Sequence, residues 1–110
     1  MKVSEVKKLF NEEFPFLKLE FFKKSHLPLQ GSARKDIIEH DFMISPSLSG
    51  RVMMIHGDMK VAELEKQFMD FFRLSAQVFR KSGKTWLETT FTDGWSLKKQ
   101  NEEGMELSQI

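Results

Sequence analysis

The chain has 110 residues, with 17 basic and 16 acidic side chains and a formal net charge of +1. This length is typical of one domain with its own core, and we expect a single domain over residues 1–110. The absence of cysteine excludes disulfide scaffolds and cysteine-based metal or catalytic sites. Because the net charge is close to zero, recognition of an anion would need a local basic patch.

Two segments of the chain resemble each other. Residues 1–14 match residues 59–72 at seven of fourteen positions, and the match continues beyond an inserted Pro15 to Ser25 and Ser82. Eleven of twenty-four positions are then identical, whereas chance gives about two. The pattern favours one unit built twice, with pseudo-repeats over residues 1–45 and 50–104. The alternative is convergence of two amphipathic segments on similar sequences.

In the first half, apolar side chains at helical spacing predict a helix over residues 3–14. The helix should stop at Phe14, because the residue before a proline is driven out of the helical region. Alternation then predicts a strand over residues 17–22, and a weaker alternation makes residues 37–44 a candidate second strand.

The second half repeats this order. Residues 51–56 predict a strand that leads into a helix over residues 61–72. Residues 75–80 and 86–92 predict an antiparallel hairpin around a turn that contains Gly83. The chain then offers a short helix over residues 95–103, with Gly104 just past its end and a frayed tail of six residues.

These elements predict an α+β fold. We expect a two-layer sandwich in which a mostly antiparallel sheet of about five strands carries two helices on one face, with an internal αββ pseudo-repeat. The other sheet face would carry residues such as Met53, Phe79 and Trp86, which are too apolar for a small monomer to leave in water. A homodimer through this face or an edge strand would cover them. A C-terminal helix through Trp95 and Leu97 is the alternative cover.

The leading functional expectation is a small non-enzymatic protein that acts through protein–protein contacts as a homodimer. Enzyme activity is disfavoured because no nucleophile, acid–base pair or phosphate-binding glycine loop is recognisable, and no cofactor is expected. We also expect a cytoplasmic protein with no membrane association, since no apolar run approaches the length of a membrane span.

Basic residues follow both repeat strands and give the second functional expectation, an anion or nucleic-acid patch. Clustered cations bind phosphates, and a neighbouring tryptophan can stack on a base. The alternative is a set of solvated strand ends that discourage edge pairing. The candidate residues are Lys23, Lys24, Arg80, Lys81, Lys84 and Trp86.

The third expectation is a metal-dependent enzyme built from His40, His56 and nearby carboxylates. Glu39 and Asp41 flank His40, so on a strand they face the opposite way from its imidazole. The three side chains therefore cannot converge on one ion from one strand, and a solvated strand edge is the favoured interpretation.

A segment near the C-terminus has a distinctive sequence, with residues 77–83 reading QVFRKSG and residues 86–90 reading WLETT. TDGWSL stands at residues 92–97, and QN at residues 100–101. The segment resembles a run found in small uncharacterised bacterial proteins. The resemblance implies a bacterial cytoplasmic setting and brings no activity or site residues with it.

Overall fold

The computed structural model describes residues 1–23, 37–44 and 53–108. Within these ranges the chain forms three helices, three strands and one short 3₁₀ turn, at Thr90–Thr92. In chain order the elements are α1 (Val3–Glu13), β1 (Leu17–Phe22), α2 (Val61–Phe72), β2 (Ser75–Ser82), β3 (Thr85–Glu88) and α3 (Leu97–Ser108).

The three strands form one antiparallel sheet in the order β1-β2-β3. Leu17 lies opposite Arg80 and Phe22 opposite Ser75, so β1 pairs with β2 along its whole length. The shorter β3 pairs with the second half of β2, from Phe79 to Ser82. A two-residue turn joins β2 to β3, and Gly83 adopts the positive φ of 60° that this turn requires.

One face of the sheet and the apolar faces of all three helices share a single core. Alternate strand residues point to this face because successive side chains in a strand lie on opposite sides. Phe21 of β1 meets Phe68 of α2 edge to face, with the ring centroids 5.2 Å apart. The buried strand residues of this core are Leu17, Leu19, Phe21, Ala76 and Val78, and the helices add Val3, Phe10, Val61, Leu64, Phe68 and Leu97.

The predicted five-stranded sheet with two helices is wrong. The segment at residues 37–44 makes only isolated bridges, Ile37 with Phe22 and Met43 with Lys2. The described part of the predicted strand at residues 51–56, residues 53–56, is not a strand. The αββ repeat fails with it, because the first half has no second strand among the described residues. Weak alternation over a few residues does not decide between a strand and an extended segment that packs on a helix end.

The C-terminal helix also differs from the prediction. Gly104 does not end it; α3 continues to Ser108, and this glycine allows close approach to the rest of the fold. A Cβ at residue 104 would lie 2.8 Å from Phe16 Cβ and 3.2 Å from Arg80 Cγ. This glycine in a helical pattern is therefore a packing contact and not a terminator.

The C-terminal helix does not cover the second sheet face, and Met53, which we expected on that face, lies elsewhere. Leu97 of α3 belongs to the core on the helix side of the sheet, and Met53 packs against that same core. Phe79 and Trp86 do point to the opposite face, as the register of β2 and β3 requires. No described helix packs on that opposite face.

Candidate functional site

Those predicted basic residues that the structure describes do not form one patch. Because β1 and β2 are antiparallel, Lys23 follows Phe22 at the end of the sheet where β2 begins. Lys81 and Lys84 lie at the opposite end, beside the turn between β2 and β3. Lys24 is outside the described residues. Equivalent positions in two antiparallel strands are thus separated, which the sequence match alone did not indicate.

Arg80 and Lys81 also point to different faces. Lys81 lies directly opposite Trp86 and shares its face, whereas Arg80 lies opposite Leu87 on the face that the helices cover. Apart from Lys23 at the other end of the sheet, the described residues of the predicted set therefore divide into two sites. One consists of Trp86, Lys81 and Lys84 at the β3 edge, and the other contains Arg80 beneath α3.

The face around Trp86 carries a pocket of about 290 Å³. Lys18 Nζ lies 5.0 Å from the centre of the Trp86 ring and 5.6 Å from that of Phe79. Phe79 in turn stacks on Phe22 at 6.5 Å. Sequence reasoning missed Lys18, although its place in the alternating pattern of β1, four residues before Phe22, was a usable signal.

Acidic groups balance the cations of this pocket. Glu20 and Glu39 line it together with Lys18 and Ile37. Glu20 also makes a 2.9 Å ion pair with Lys7 of α1. A pocket with this mixture of signs does not attract polyanions, so base stacking on Trp86 lacks the surrounding positive field that nucleic-acid binding uses.

The second site surrounds Arg80. Its Nη1 donates to Gln100 Oε1 at 2.9 Å, and its guanidinium lies 5.7 Å from the centre of the Trp95 ring. Gln100 is fully buried, and its amide nitrogen donates to both the carbonyl oxygen and the hydroxyl of Thr92, at 2.8 and 2.7 Å. Lys99 Nζ lies over the same Trp95 ring, 4.3 Å from its centre. Of these residues, sequence reasoning named only Arg80 as a site residue.

The third feature is the outer edge of β3. Lys81 N donates to Phe16 O, so odd-numbered residues of β2 bond towards β1 and even-numbered residues bond towards β3. The inward backbone groups of β3 therefore belong to Thr85 and Leu87, whereas Trp86 and Glu88 direct their N–H and C=O groups away from the sheet. Among the described residues no strand lies beyond β3.

Apolar side chains lie beside this edge. Leu87 is 46% exposed, and Phe91, in the 3₁₀ turn after β3, is 88% exposed. The strand stops at Glu88 because the next residue turns inward, where Thr89 donates from both its N–H and its hydroxyl to Val78 O. The predicted strand to residue 92 is therefore too long, and Phe91 lies outside the sheet.

The candidate metal residues have other surroundings. Asp41 accepts the backbone N–H of Ser4 at 3.0 Å and the Ser4 hydroxyl at 2.8 Å, at the start of α1. The backbone N–H of Ser4, together with its hydroxyl, lowers the pKa of Asp41 from its ordinary value. His40 and His56 are exposed, and in the described part of the chain no three acidic or histidine side chains are grouped to hold a metal ion.

No helix in the described ranges is long and apolar enough to span a membrane. Comparisons with protein families, with curated proteins and with solved structures give no match. The function is therefore inferred from the geometry of this chain.

Proposed function

We propose that this chain acts through protein–protein contacts, and that its first partner is a second copy of itself, paired through the outer edge of β3. The observation that carries the proposal is the exposed edge, where Trp86 and Glu88 direct backbone groups outward beside the exposed side chain of Phe91. An edge of this kind is a template for another strand.

The charges along the edge favour an antiparallel pair of copies. A two-fold axis beside Trp86 brings the Trp86 residues of the two copies opposite each other, with their outward backbone groups aligned for hydrogen bonding. In the same register Lys84 of each copy lies opposite Glu88 of the other. Glu88 shares the face of Trp86, and Lys84 is the turn residue just before β3, so the two opposite charges lie at the same end of the new pair of strands.

The pairing extends the three described strands of each copy into one continuous sheet. Four residues form a short edge, so backbone hydrogen bonds that each contribute about 1 kcal/mol net give only modest affinity. Phe91 and Leu87 add apolar area beside the edge. We expect a dimer with a Kd of roughly 10 µM to 1 mM, because the interface is at the small end of specific contacts.

Sedimentation velocity over a range of concentrations tests this proposal. The wild-type mass should rise from the 12.9 kDa of one chain towards twice that value as concentration increases. Lys84→Glu and Glu88→Lys should each weaken the dimer, since each creates like charges across the two-fold axis. The double variant restores the opposite charges and should recover the wild-type affinity. This recovery is specific to the proposed register.

Two matched controls accompany the series. Glu102→Lys changes an exposed charge on α3 and should leave the affinity unchanged. Phe91→Ser should weaken association, whereas Leu9→Ser, which removes a 54% exposed side chain from α1, should not. A protein that stays monomeric at millimolar concentration, or a double charge variant no better than the single variants, would contradict the proposal.

We also infer a bacterial cytoplasmic setting for this contact function. The cysteine-free composition is compatible with a reducing compartment, and the segment at residues 77–101 resembles small bacterial proteins. Fractionation of cells that express the chain, with detection in the soluble and membrane fractions, tests the location. Recovery in the membrane fraction would contradict it.

A further inference from the structure

Among the described residues Arg80 makes no ion pair with an acidic side chain. Within those residues its hydrogen-bond partner is the neutral amide oxygen of Gln100, and its Nε is buried without a partner. Its outer nitrogen Nη2 makes no hydrogen bond to the described residues and is not buried. Partly buried cations are ordinarily paired with a carboxylate. An arginine held only by neutral groups keeps its capacity to bind a negative charge.

The guanidinium is fixed in position by its surroundings. Its aliphatic stem lies against Gly104, where even a methyl group would contact Cγ at 3.2 Å. Gln100 is immobilised by two hydrogen bonds to Thr92 and holds Nη1 from the other side. A side chain ordered in advance by such contacts loses little conformational entropy when it binds a ligand.

A second cation lies over the same aromatic ring. Lys99 Nζ is 4.3 Å from the centre of the Trp95 ring, and the Arg80 guanidinium is 5.7 Å from it. Because both lie against one ring, the two charged groups are at most 10 Å apart (4.3 Å plus 5.7 Å). A planar fork of N–H donors with a second positive charge near it suits an oxyanion that carries two negative charges. We propose that Arg80 and Lys99 form a binding site for a phosphate group, with Trp95 and Gln100 as its walls.

The N-terminus of α3 does not supply this site. The first N–H groups of the helix are already bonded: Leu97 donates to Met59 O, Lys98 to Gly57 O and Lys99 to the Ser96 hydroxyl. Binding must therefore come from side chains, and it should depend on the identity of Arg80. The site is independent of the proposed dimer, because Arg80 and Trp86 lie on opposite sheet faces.

The test is an NMR titration of the full chain with inorganic phosphate at constant ionic strength, with chloride as the reference anion. Phosphate should shift the Trp95 indole signal and the Gln100 side-chain amide signals in a saturable way. Trp86, on the other face, supplies an internal control signal. A parallel titration with adenosine monophosphate distinguishes free phosphate from a nucleotide as the source of the group. Tighter binding of the nucleotide or equal binding of the two would each support the phosphate site.

Three variants separate a real site from general charge attraction. Arg80→Lys keeps the charge but loses the fork, and should weaken phosphate binding by about tenfold or more. Lys99→Gln should weaken it by about two- to fivefold. Lys98→Gln changes the neighbouring exposed lysine and should have no effect. Lys99 and Lys98 are both on the helix surface, so these two variants should fold whatever Arg80→Lys does.

Three results would overturn the proposal. The first is phosphate-induced shifts no larger than those with chloride, and the second is equal weakening by Lys98→Gln and Lys99→Gln. The third is unchanged affinity in an Arg80→Lys variant whose spectrum shows it to be folded.

Discussion

The two helix–strand units of this protein, α1–β1 and α2–β2, begin with nearly the same local structure, and the described chain continues from the second unit into a hairpin strand and a third helix. Each helix begins at a valine after a lysine in extended conformation, with φ of −78° at Lys2 and −77° at Lys60. Glu20 and Gln77, which correspond in the sequence match, lie directly opposite each other in the β1–β2 ladder. The two corresponding strands therefore pair about a local two-fold axis at Glu20 and Gln77.

The helix N-termini are held in the same way by different sequences. Val3 N donates to Phe42 O, and its counterpart Val61 N donates to Trp95 O. In return, Ile44 N donates to Met1 O, just as Leu97 N donates to Met59 O. An extended segment thus bridges the start of each helix. Backbone groups make most of these bonds, so little sequence similarity is needed between the segments at residues 41–44 and 94–97.

The chain after β2 is described throughout to Ser108, whereas residues 24–36 after β1 lie outside the described residues. After β2 the chain turns back at Gly83 into β3, and the hairpin leads on to α3. The residue that corresponds to Gly83 in the first half is His26, and a β-carbon disfavours the positive φ that this turn uses. One glycine therefore distinguishes the sequence of the unit that carries the edge strand. The proposed contact edge and phosphate site both belong to the second unit.

The largest expected effect is loss of a core phenylalanine. Phe10→Ala and Phe68→Ala remove equivalent side chains that are 3% and 2% exposed. Each should lower the free energy of unfolding by about 3–5 kcal/mol, because a cavity is left in a close-packed core. If the two units share one core, urea denaturation will show one transition in both variants. Two transitions, with each variant shifting only one, would show independent units. Leu9→Ala is the exposed control.

Gly104→Ala tests the docking of the third helix, which the first unit lacks among the described residues. The new Cβ would lie 2.8 Å from Phe16 Cβ and 3.0 Å from Phe16 O. Overpacking should cost about 1–3 kcal/mol and exceed the helix-propensity gain of about 1 kcal/mol. Denaturation measures the net loss, with Glu102→Ala on the exposed side as control. Net stabilisation would mean that α3 does not pack this closely.

Gly83→Ala tests the turn that carries the chain from β2 into β3 in the second unit. A side chain at φ of 60° should cost about 1–2 kcal/mol. Gly94→Ala is the control, because its φ is not positive and a Cβ there would meet no atom within 4 Å. Equal stability of the two variants would argue against the tight turn between β2 and β3.

The smallest effect concerns the start of α1. The lowered pKa of Asp41 means that its charged form stabilises the fold above the ordinary pKa of the group, and that this contribution is lost as the pH falls through the lowered value. Asp41→Asn should therefore lower the Tm at pH 7, and the difference from wild type should shrink as the pH falls below the ordinary pKa of aspartate and through the lowered pKa of Asp41. Asp93→Asn is the matched control, since Asp93 accepts the Ala62 N–H at the start of α2 with its backbone carbonyl and not with its side chain. A pH-independent difference would contradict the role of the Asp41 charge.

Much of the local structure was predictable from the sequence. The apolar spacing predicted α1 and α2, and Pro15 predicted the end of α1 within one residue. The alternating pattern of the strands, together with the turn residue Gly83, predicted the hairpin. The site was less predictable. Arg80 was named, but Lys18, Lys99 and Gln100 were not, because their importance comes from neighbours that are distant in sequence.

The sequence by itself determined α1, α2, β1, β2 and the hairpin turn at Gly83, and the presence but not the ends of β3 and α3, since these features depend on periodicity and backbone preference over a few residues. Only the tertiary structure decided that the segment at residues 37–44 bridges the start of α1 and that Gly104 packs closely against Phe16. It also decided that the side chains of Arg80 and Lys81 lie on opposite faces of the sheet. Those outcomes depend on which segments meet in space, and the antiparallel pairing of β1 with β2 separated the basic residues that the sequence match had suggested would cluster.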